Sequence, residues 1–414
     1  MSKIITVVLI GAGNRGESYT DIMAKFPEKY KVVAVAEPID SRRNYIKEKH
    51  GLSEDMCFED GDSLFALGKV ADLAIVSTQD RLHFEPAMKA ISLGYDLLLE
   101  KPVSPEPEEC RKIALHAKEM NVRVVVCHVL RYTPLFTTIK KIIEEGQIGD
   151  IVSINHEECV GHIHYSHSFC RGSWGNAERS ACMLLAKSCH DLDLLQWLLG
   201  KKCKKIQSFG SLTHFCEDYA PKGAPDYCIE GCPHGETCPY NAVNLYVKDD
   251  DLLLRELATR EVNPSVEMAE HTIRTTQYGK CVYKCDNNVV DHQTVNMLFE
   301  GNTTVTFTMA GLSEAGRYIH IMGTKGTLRA ALAGDVPIKI YNFETRAASE
   351  IPMSGRDGVA FGHGGGDGGI IETLYDYLTG ASQSSSISDI GVCLSGDIDK
   401  LSKRMISCGS NLEE

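Results

Sequence analysis

The feature that most constrains this chain is a rhythm in its first 130 residues. Short runs of Val, Ile and Leu at 4–10, 31–37, 71–77, 96–99 and 122–127 alternate with longer stretches at 17–26, 41–49, 83–93 and 106–120. Runs so short and so continuously apolar fit strands buried on both faces of a parallel sheet. The intervening stretches carry helix punctuation. Gly94 stops the third, and Ser104-Pro105 reads as the N-cap and first helical position of the fourth. Repeated units of this kind predict an α/β architecture, with a doubly wound Rossmann domain over residues 1–130.

After Arg131 the texture changes. Residues 134–145 are amphipathic and end at Gly146, and runs at 151–155, 295–299 and 303–309 follow. Several alternate with the period of two expected of half-exposed strands. One helix is expected over 181–199, stopped by Gly200, and a glycine-rich loop at 362–369 precedes helical segments at 370–378 and 384–408. These patterns predict a second, α+β domain over 131–414 with a largely antiparallel open sheet, its final helices packing back on the first domain. Such a sheet leaves one face without helices, so a homodimer or homotetramer is expected to cover it.

The formal net charge of −13 argues against a nucleic-acid partner, which demands a basic surface. No apolar run approaches the ~20 residues needed to cross a bilayer, so no membrane partner is expected. The first run lacks a basic leader and a cleavage site. Sixteen cysteines without a secretory signal fit a reducing, cytoplasmic setting.

Gly11-Ala12-Gly13-Asn14-Arg15-Gly16 closes the first apolar run and opens a helix. Gly11 permits a tight turn, Gly13 lets backbone approach a pyrophosphate, and Gly16 allows close helix–strand packing. The helix that follows aims its amides at phosphate oxygens, so Asn14 and Arg15 join the glycines as candidate cofactor residues. Glu37 ends the second run near the ~20-residue offset at which a carboxylate binds the adenosine ribose. A carboxylate there repels a 2′-phosphate and favours NAD over NADP, although Arg42 and Arg43 lie nearby.

The chain resembles the glucose-fructose oxidoreductase, inositol dehydrogenase and rhizopine-catabolism family of sugar and cyclitol dehydrogenases. The resemblance is carried by the Gly11–Gly16 turn, Ser77-Thr78 with His83, Glu100-Lys101-Pro102, Arg131-Tyr132-Thr133-Pro134, Gly146-Gln147-Ile148-Gly149 and His190-Asp191-Leu192-Asp193, in order over the first 200 residues. It implies that Ser77, Thr78, His83, Glu100 and Lys101 border the cofactor. It further implies that Arg131, Tyr132, His190 and Asp191 border the substrate, and that Lys101 contacts the reacting sugar. The chemistry agrees, because oxidising a secondary alcohol sends hydride to the nicotinamide and a proton to a base. A lysine at the carboxyl end of a parallel strand stands where ligands bind in such sheets.

One departure stands out. The family places an aspartate four residues before the histidine, and this chain reads Ala186-Lys187-Ser188-Cys189-His190. On one continuous helix Lys187, His190, Asp191 and Leu194 share a face. Lys187 is therefore a candidate for catalysis and substrate binding in the carboxylate's stead, with His190 relaying a proton.

Polar and aromatic residues crowd several second-domain stretches, as a sugar pocket demands. Among them His164, Trp174, His292 and His363 are candidate substrate contacts, a reading that similar segments in a branch of the family support. Cys228, Cys232 and Cys238 form a candidate structural site for zinc or an iron–sulfur cluster, although their spacing matches neither a zinc ribbon nor a ferredoxin run. The expected activity is NAD-dependent oxidation or reduction of a secondary hydroxyl of a sugar, cyclitol or glycoside. Two alternatives stand beside it: a redox-neutral hydrolase or lyase that retains its NAD through oxidation, elimination and reduction, and a non-catalytic regulator sensing sugar and NAD.

Overall fold

The computed structural model describes residues 3–249, 252–353, 363–381 and 384–390. Gly362 and residues 391–408 of the expected final segments lie outside the described residues. Six parallel strands build the first sheet: β1 (Ile5–Ile10), β2 (Tyr30–Ala36), β3 (Cys57–Phe58), β4 (Leu73–Val76), β5 (Asp96–Leu99) and β6 (Val124–Val126). Their order is β3-β2-β1-β4-β5-β6, so the chain reverses direction across the sheet between β1 and β4. The carboxyl ends of β1, β4 and β5 open onto the crevice at that reversal, where such sheets bind ligands.

Both faces of this sheet are covered, which is why its strands read as unbroken apolar runs. Val7, Leu9, Ile75 and Leu98 pack with Tyr19, Ile22 and Met23 of helix Asn14–Met23. The same layer takes in Ile370, Ile371 and Leu374, so helix Gly366–Thr379 returns from the far end of the chain to the first sheet. On the other face Val8, Ile10, Val76 and Leu99 meet Ala87, Ile91, Ile113 and Ala117 of helices Phe84–Ser92 and Pro107–Met120.

The second sheet has eight strands: β7 (Ile151–Cys159), β8 (Cys203–Ser211), β9 (His292–Phe299), β10 (Thr304–Ala310), β11 (Gly316–Gly323), β12 (Gly326–Leu332), β13 (Ile338–Asn342) and β14 (Ala348–Ile351). Their order is β14-β13-β12-β11-β7-β10-β9-β8, and every neighbouring pair is antiparallel except β7 with β10. Ile154, Val305, Phe307 and Ile321 point inward against Phe136 and Ile139 of helix Pro134–Glu144 and Leu194 and Leu195 of helix Cys189–Leu199. Among the described residues the opposite face carries no helix core; Val152 and Phe209 lie exposed on it. Residues 212–291 leave the sheet between β8 and β9 as turns and short helices. Among the described residues no helix is long and apolar enough to cross a membrane.

Two helix expectations are corrected. The helix expected from Pro105 starts at Pro107, and the Ser104 hydroxyl instead accepts the Glu106 N–H (3.0 Å) ahead of it. The stretch 181–199 is two helices, Met183–Ala186 and Cys189–Leu199, separated at Lys187 and Ser188. Lys187 and His190 therefore do not share one continuous helix face. A tertiary contact accompanies the break: the Ala186 carbonyl accepts a hydrogen bond from Lys101 Nζ (2.9 Å).

Candidate active site

The glycine turn after β1 is shaped by contacts that no side chain would survive. Gly11 sits at φ +88°, where a Cβ would also lie 2.8 Å from the Ser77 carbonyl, and a Cβ on Gly16 would lie 2.2 Å from the Gly11 carbonyl. Gly13 precedes helix Asn14–Met23 without any side-chain cap, so the first-turn amides face the crevice without a side-chain acceptor. The buried Glu37 carboxylate accepts the N–H groups of Ala12 (2.7 Å) and Ile39 (3.0 Å), which fixes it at the edge of the turn. A cradle too narrow for a Cβ, an uncapped helix start and a buried carboxylate beside it together fit NAD. Gly11, Gly13, Gly16, Asn14 and Glu37 are the residues that would hold it.

The remaining residues expected at the cofactor mostly brace the crevice. Ser77 Oγ donates to the Gly11 carbonyl (2.7 Å) and Thr78 Oγ1 to the Leu82 carbonyl (2.9 Å). The His83 ring sits between the carbonyls of Pro102 (2.8 Å) and Thr78 (3.0 Å). Arg15 is engaged by the carboxylates of Glu100 and Asp367 and by the Tyr19 hydroxyl (2.7 Å). Glu100 also accepts the Tyr19 hydroxyl (2.6 Å) and the Lys101 N–H (2.9 Å), so it is held behind the lysine. Burial pushes Glu100 up, but Arg15 and Lys101 outweigh it and leave its carboxyl below the ordinary value.

Lys101 follows β5 and reaches across to the second domain. Its Nζ donates to the Ala186 carbonyl and lies 5.5 Å from the centre of the Trp174 ring, a cation–π contact. Trp174 is oriented in turn by Asp80, a buried carboxylate that accepts the indole N–H (3.1 Å) and the Ser180 hydroxyl. Among the described residues no carboxylate lies within ion-pair distance of Lys101 Nζ. A backbone oxygen of the residue that replaces the family's aspartate takes that place.

His190 stands beside the lysine, its ring 6.0 Å from His363 and 6.3 Å from His128. Burial, then Lys101, His363, Arg317 and His128, hold its pKa well below the ordinary value, so the imidazole is neutral at physiological pH. Its Nδ1 is buried with no hydrogen-bond partner. His164 keeps an accessible edge beside Phe169, and desolvation of the rest of its ring, then Lys187, His167, His363 and Lys101, lowers its pKa likewise. His363 Nδ1 lies 3.0 Å from Asp367.

Lys187 lies 3.4 Å from Glu158, and burial lowers its pKa while Glu158 opposes the change. Behind it runs a buried ion network. Arg317 Nε lies 2.5 Å from Glu158 and 2.9 Å from Asp191, and His156 Nε2 lies 2.8 Å from the same Asp191 oxygen. Arg317 and His156 outweigh the upward push of burial and hold the Asp191 carboxyl below its ordinary value. Asp191 thus supports the site from behind and does not face the cleft as a substrate contact.

Three other expected substrate contacts are not brought to the lysine. Arg131 is paired with Asp193, whose carboxylate also lies 3.1 Å from His128. Tyr132 is buried in the first-domain core. His292 is half exposed beside Asp291 at the start of β9, without a contact to the cluster. Cys228, Cys232 and Cys238 do not form a ligand set either. Cys228 packs with Tyr246 and Ile273, and Cys238 is near enough to Cys228 and Cys232 for both to push its thiol up, behind the larger effect of burial. Among the described residues no three His, Cys, Asp or Glu side chains are placed to hold a metal.

Sequence reasoning missed Glu158, Arg317, His128 and Asp80. Glu158 left a faint signal, since His156 and Glu158 are two apart on one strand and share its buried face. Arg317 and Asp80 left none, because long-range folding alone brings them to the cleft.

A glycine turn shaped for a dinucleotide after β1, with Lys101 after β5 reaching to Ala186 of the second domain, is the arrangement of an NAD-binding oxidoreductase. Two models of one family match successive stretches of the chain. The description "Oxidoreductase family, NAD-binding Rossmann fold" covers residues 5–128, and "Oxidoreductase family, C-terminal alpha/beta domain" covers residues 140–357. The chain belongs to this Gfo/Idh/MocA family. YteT of Bacillus subtilis (strain 168), an oxidoreductase by name, is 22% identical over 93% of this chain and 94% of its own length. The 2,7-anhydro-N-acetylneuraminate hydratase of Escherichia coli (strain K12) is 26% identical over 51% of this chain and 54% of its own. In fold, the scyllo-inositol dehydrogenase of Lactobacillus casei, solved with NAD(H) and scyllo-inositol, superposes with a TM-score of 0.63 at 16% identity, covering 94% of this chain and 93% of that one.

Proposed function

We propose that this protein interconverts a secondary hydroxyl and a ketone on a sugar, cyclitol or glycoside. The observation that carries the reading is the juxtaposition of Lys101 Nζ, bonded to a lone backbone oxygen, with a neutral His190 whose Nδ1 is unpartnered. NAD, when bound, supplies the hydride acceptor. Lys101 Nζ meets the reacting hydroxyl and exchanges its proton, and His190 relays that proton through Nδ1. Trp174 gives an aromatic wall for the C–H face of a ring. Glu37 favours NAD over NADP, and Arg43 is already engaged by Asp40 and the Glu37 carbonyl.

A second reading has its own observation. Residues 260–261 of the second domain clasp the first turn of helix Asp40–His50: the Arg260 carbonyl accepts Arg42 Nε (2.6 Å), and Glu261 accepts the Ser41 hydroxyl. Arg42 Nη1 lies over the glycine turn, 3.3 Å from where a Gly13 Cβ would be. A dinucleotide under this clasp leaves slowly, as a redox-neutral cycle with retained NAD requires, and the named activity of the E. coli relative is a hydration.

A panel of sugars, cyclitols and glycosides with NAD, following both NADH and released aglycone, separates the two readings. Lys101→Met should lower turnover by about 10²-fold or more while the protein still binds NADH. Undiminished turnover in that variant would refute the role of Lys101. We also read the open face of the second sheet as the contact between two copies of the chain.

A further inference from the structure

We propose that His363, oriented by Asp367, is a second general base of this site, and that it takes a proton from the carbon beside the ketone that hydride transfer leaves. The proposal rests on the reading of the site as an oxidoreductase's and deepens it.

The partners of the ring decide its tautomer. Asp367 is 2% accessible, and Arg15 grips it with both arms of its fork, Nη1 at 3.2 Å and Nη2 at 2.5 Å. Burial pushes this carboxyl up, but the bond from His363 and the charge of Arg15 outweigh it and hold it well below the ordinary carboxylate range. An ionised carboxylate only accepts, so its 3.0 Å contact with His363 Nδ1 places the proton on Nδ1. Arg15 Nη1 stands 3.5 Å from the same nitrogen, at the outer limit of a hydrogen bond, and the shorter contact prevails. Nε2 of the neutral ring is then a bare acceptor. A carboxylate behind Nδ1 equips a histidine as a base in the same way in serine hydrolases.

The backbone holds this ring in a special place. His363 sits at φ +52°, a left-handed conformation that is strained for a residue with a Cβ, and such strain collects at functional sites. A Cβ on Gly366 would lie 2.3 Å from the Val129 carbonyl, so the start of helix Gly366–Thr379, which carries Asp367, is pressed against that segment. The His363 side chain still keeps 36% of its surface accessible, and its ring lies 6.0 Å from that of His190. Arg15 also ties this base to the lysine, because it bonds Glu100, the residue before Lys101, at 3.1 Å.

Oxidation of an alcohol releases one hydride and one proton, and Lys101 with His190 accounts for that proton. A second oriented base is surplus unless a second proton moves. In the ketone the acidic C–H is the one beside the carbonyl. His363 Nε2 takes its proton, the C–H pair forms a C=C bond, and the carbonyl becomes an enolate oxygen to which Lys101 donates. Return of the proton restores the ketone. Where the next carbon bears an oxygen substituent, the enolate re-forms its C=O, the C=C bond shifts to that carbon, and the C–O bond breaks. The oxygen leaves with the pair and takes up the proton that His363 holds. That is the elimination a redox-neutral cycle requires.

The test separates this proton from hydride transfer. A panel of keto-cyclitols and keto-glycosides, including the keto derivatives of myo-inositol and methyl glucoside, is incubated with the protein and NAD in D2O. Oxidised cofactor cannot reduce these ketones, so deuterium entering them, followed by mass spectrometry, reads exchange alone. Their reduction by NADH is measured beside it. The wild type should exchange at least one ketone above the buffer rate. His363→Gly and His363→Asn, both tolerant of left-handed backbone, should lower exchange by about 100-fold while reduction falls by less than about 10-fold. Added imidazole should restore exchange to His363→Gly, and NADH binding by fluorescence establishes that the variants are folded. Exchange that falls no more than reduction, or a wild type that reduces a ketone without exchanging it, overturns the proposal and leaves the oxidoreductase reading standing. Neither exchange nor reduction of any panel member overturns both.

Discussion

Removal of Arg317 offers the sharpest test of how the second domain holds its catalytic edge. Its guanidinium pairs with Glu158 at 2.5 Å and Asp191 at 2.9 Å, and these carboxylates are 3% and 0% accessible. Arg317→Met fills much of the same volume but leaves two carboxylates buried with weakened partners. Breaking a buried pair by deleting one member costs about 3–5 kcal/mol. Asp191 keeps His156 at 2.8 Å and Glu158 keeps Lys187 at 3.4 Å, so we expect the lower end, about 3 kcal/mol. Both tryptophans of the chain, Trp174 and Trp197, lie in the second domain, so their fluorescence during urea unfolding reports on this domain. With a slope of about 3 kcal/mol per molar, the midpoint should fall by about 1 M. The triple variant Arg317→Met with Glu158→Gln and Asp191→Asn should recover at least half of the loss, because it removes the stranded charges. A loss below about 1 kcal/mol, the range of exposed ion pairs, would show that solvent screens the network and would refute the reasoning. So would a triple variant no more stable than the single one.

Two further outcomes are expected. Burial, with Arg171 adding, lowers His167 to about 4, so its neutral form is favoured by folding. That contribution is fully present above the unfolded value near 6.5 and is lost as pH falls toward 4. The urea midpoint should therefore drop between pH 7 and pH 5, and less so in His167→Gln; an equal drop in both would exclude His167 as a source. Phe209, 65% accessible on the open face of the second sheet, should matter to assembly. Light scattering of Phe209→Glu should show a smaller species than the wild type, and an unchanged assembly would count against that face as the contact.

The first domain was legible in the chain because its determinants are local. Continuous apolar runs can be buried only between two helical layers, and a glycine turn between strand and helix has few uses besides holding phosphate. The second domain was less so. The helix expected over 181–199 has good local propensity throughout, yet it breaks where Lys101 takes the Ala186 carbonyl, 85 residues away in sequence. Arg131 and His83 carry family motifs, and the structure engages them with Asp193 and with two backbone carbonyls. A motif records that a residue matters and is silent on whether it touches ligand or holds the wall.

By itself, then, the sequence determined the parallel sheet, the glycine turn after β1 and the strand-end lysine, because each is written in one short segment: a continuous apolar run, a glycine-rich turn, a residue at a strand's end. Only the tertiary structure decided what surrounds that lysine. It brought Ala186, His190 and His363 to Lys101, and set Glu158 and Arg317 behind Lys187. Each of those contacts joins residues far apart in the chain, so no local pattern announces it.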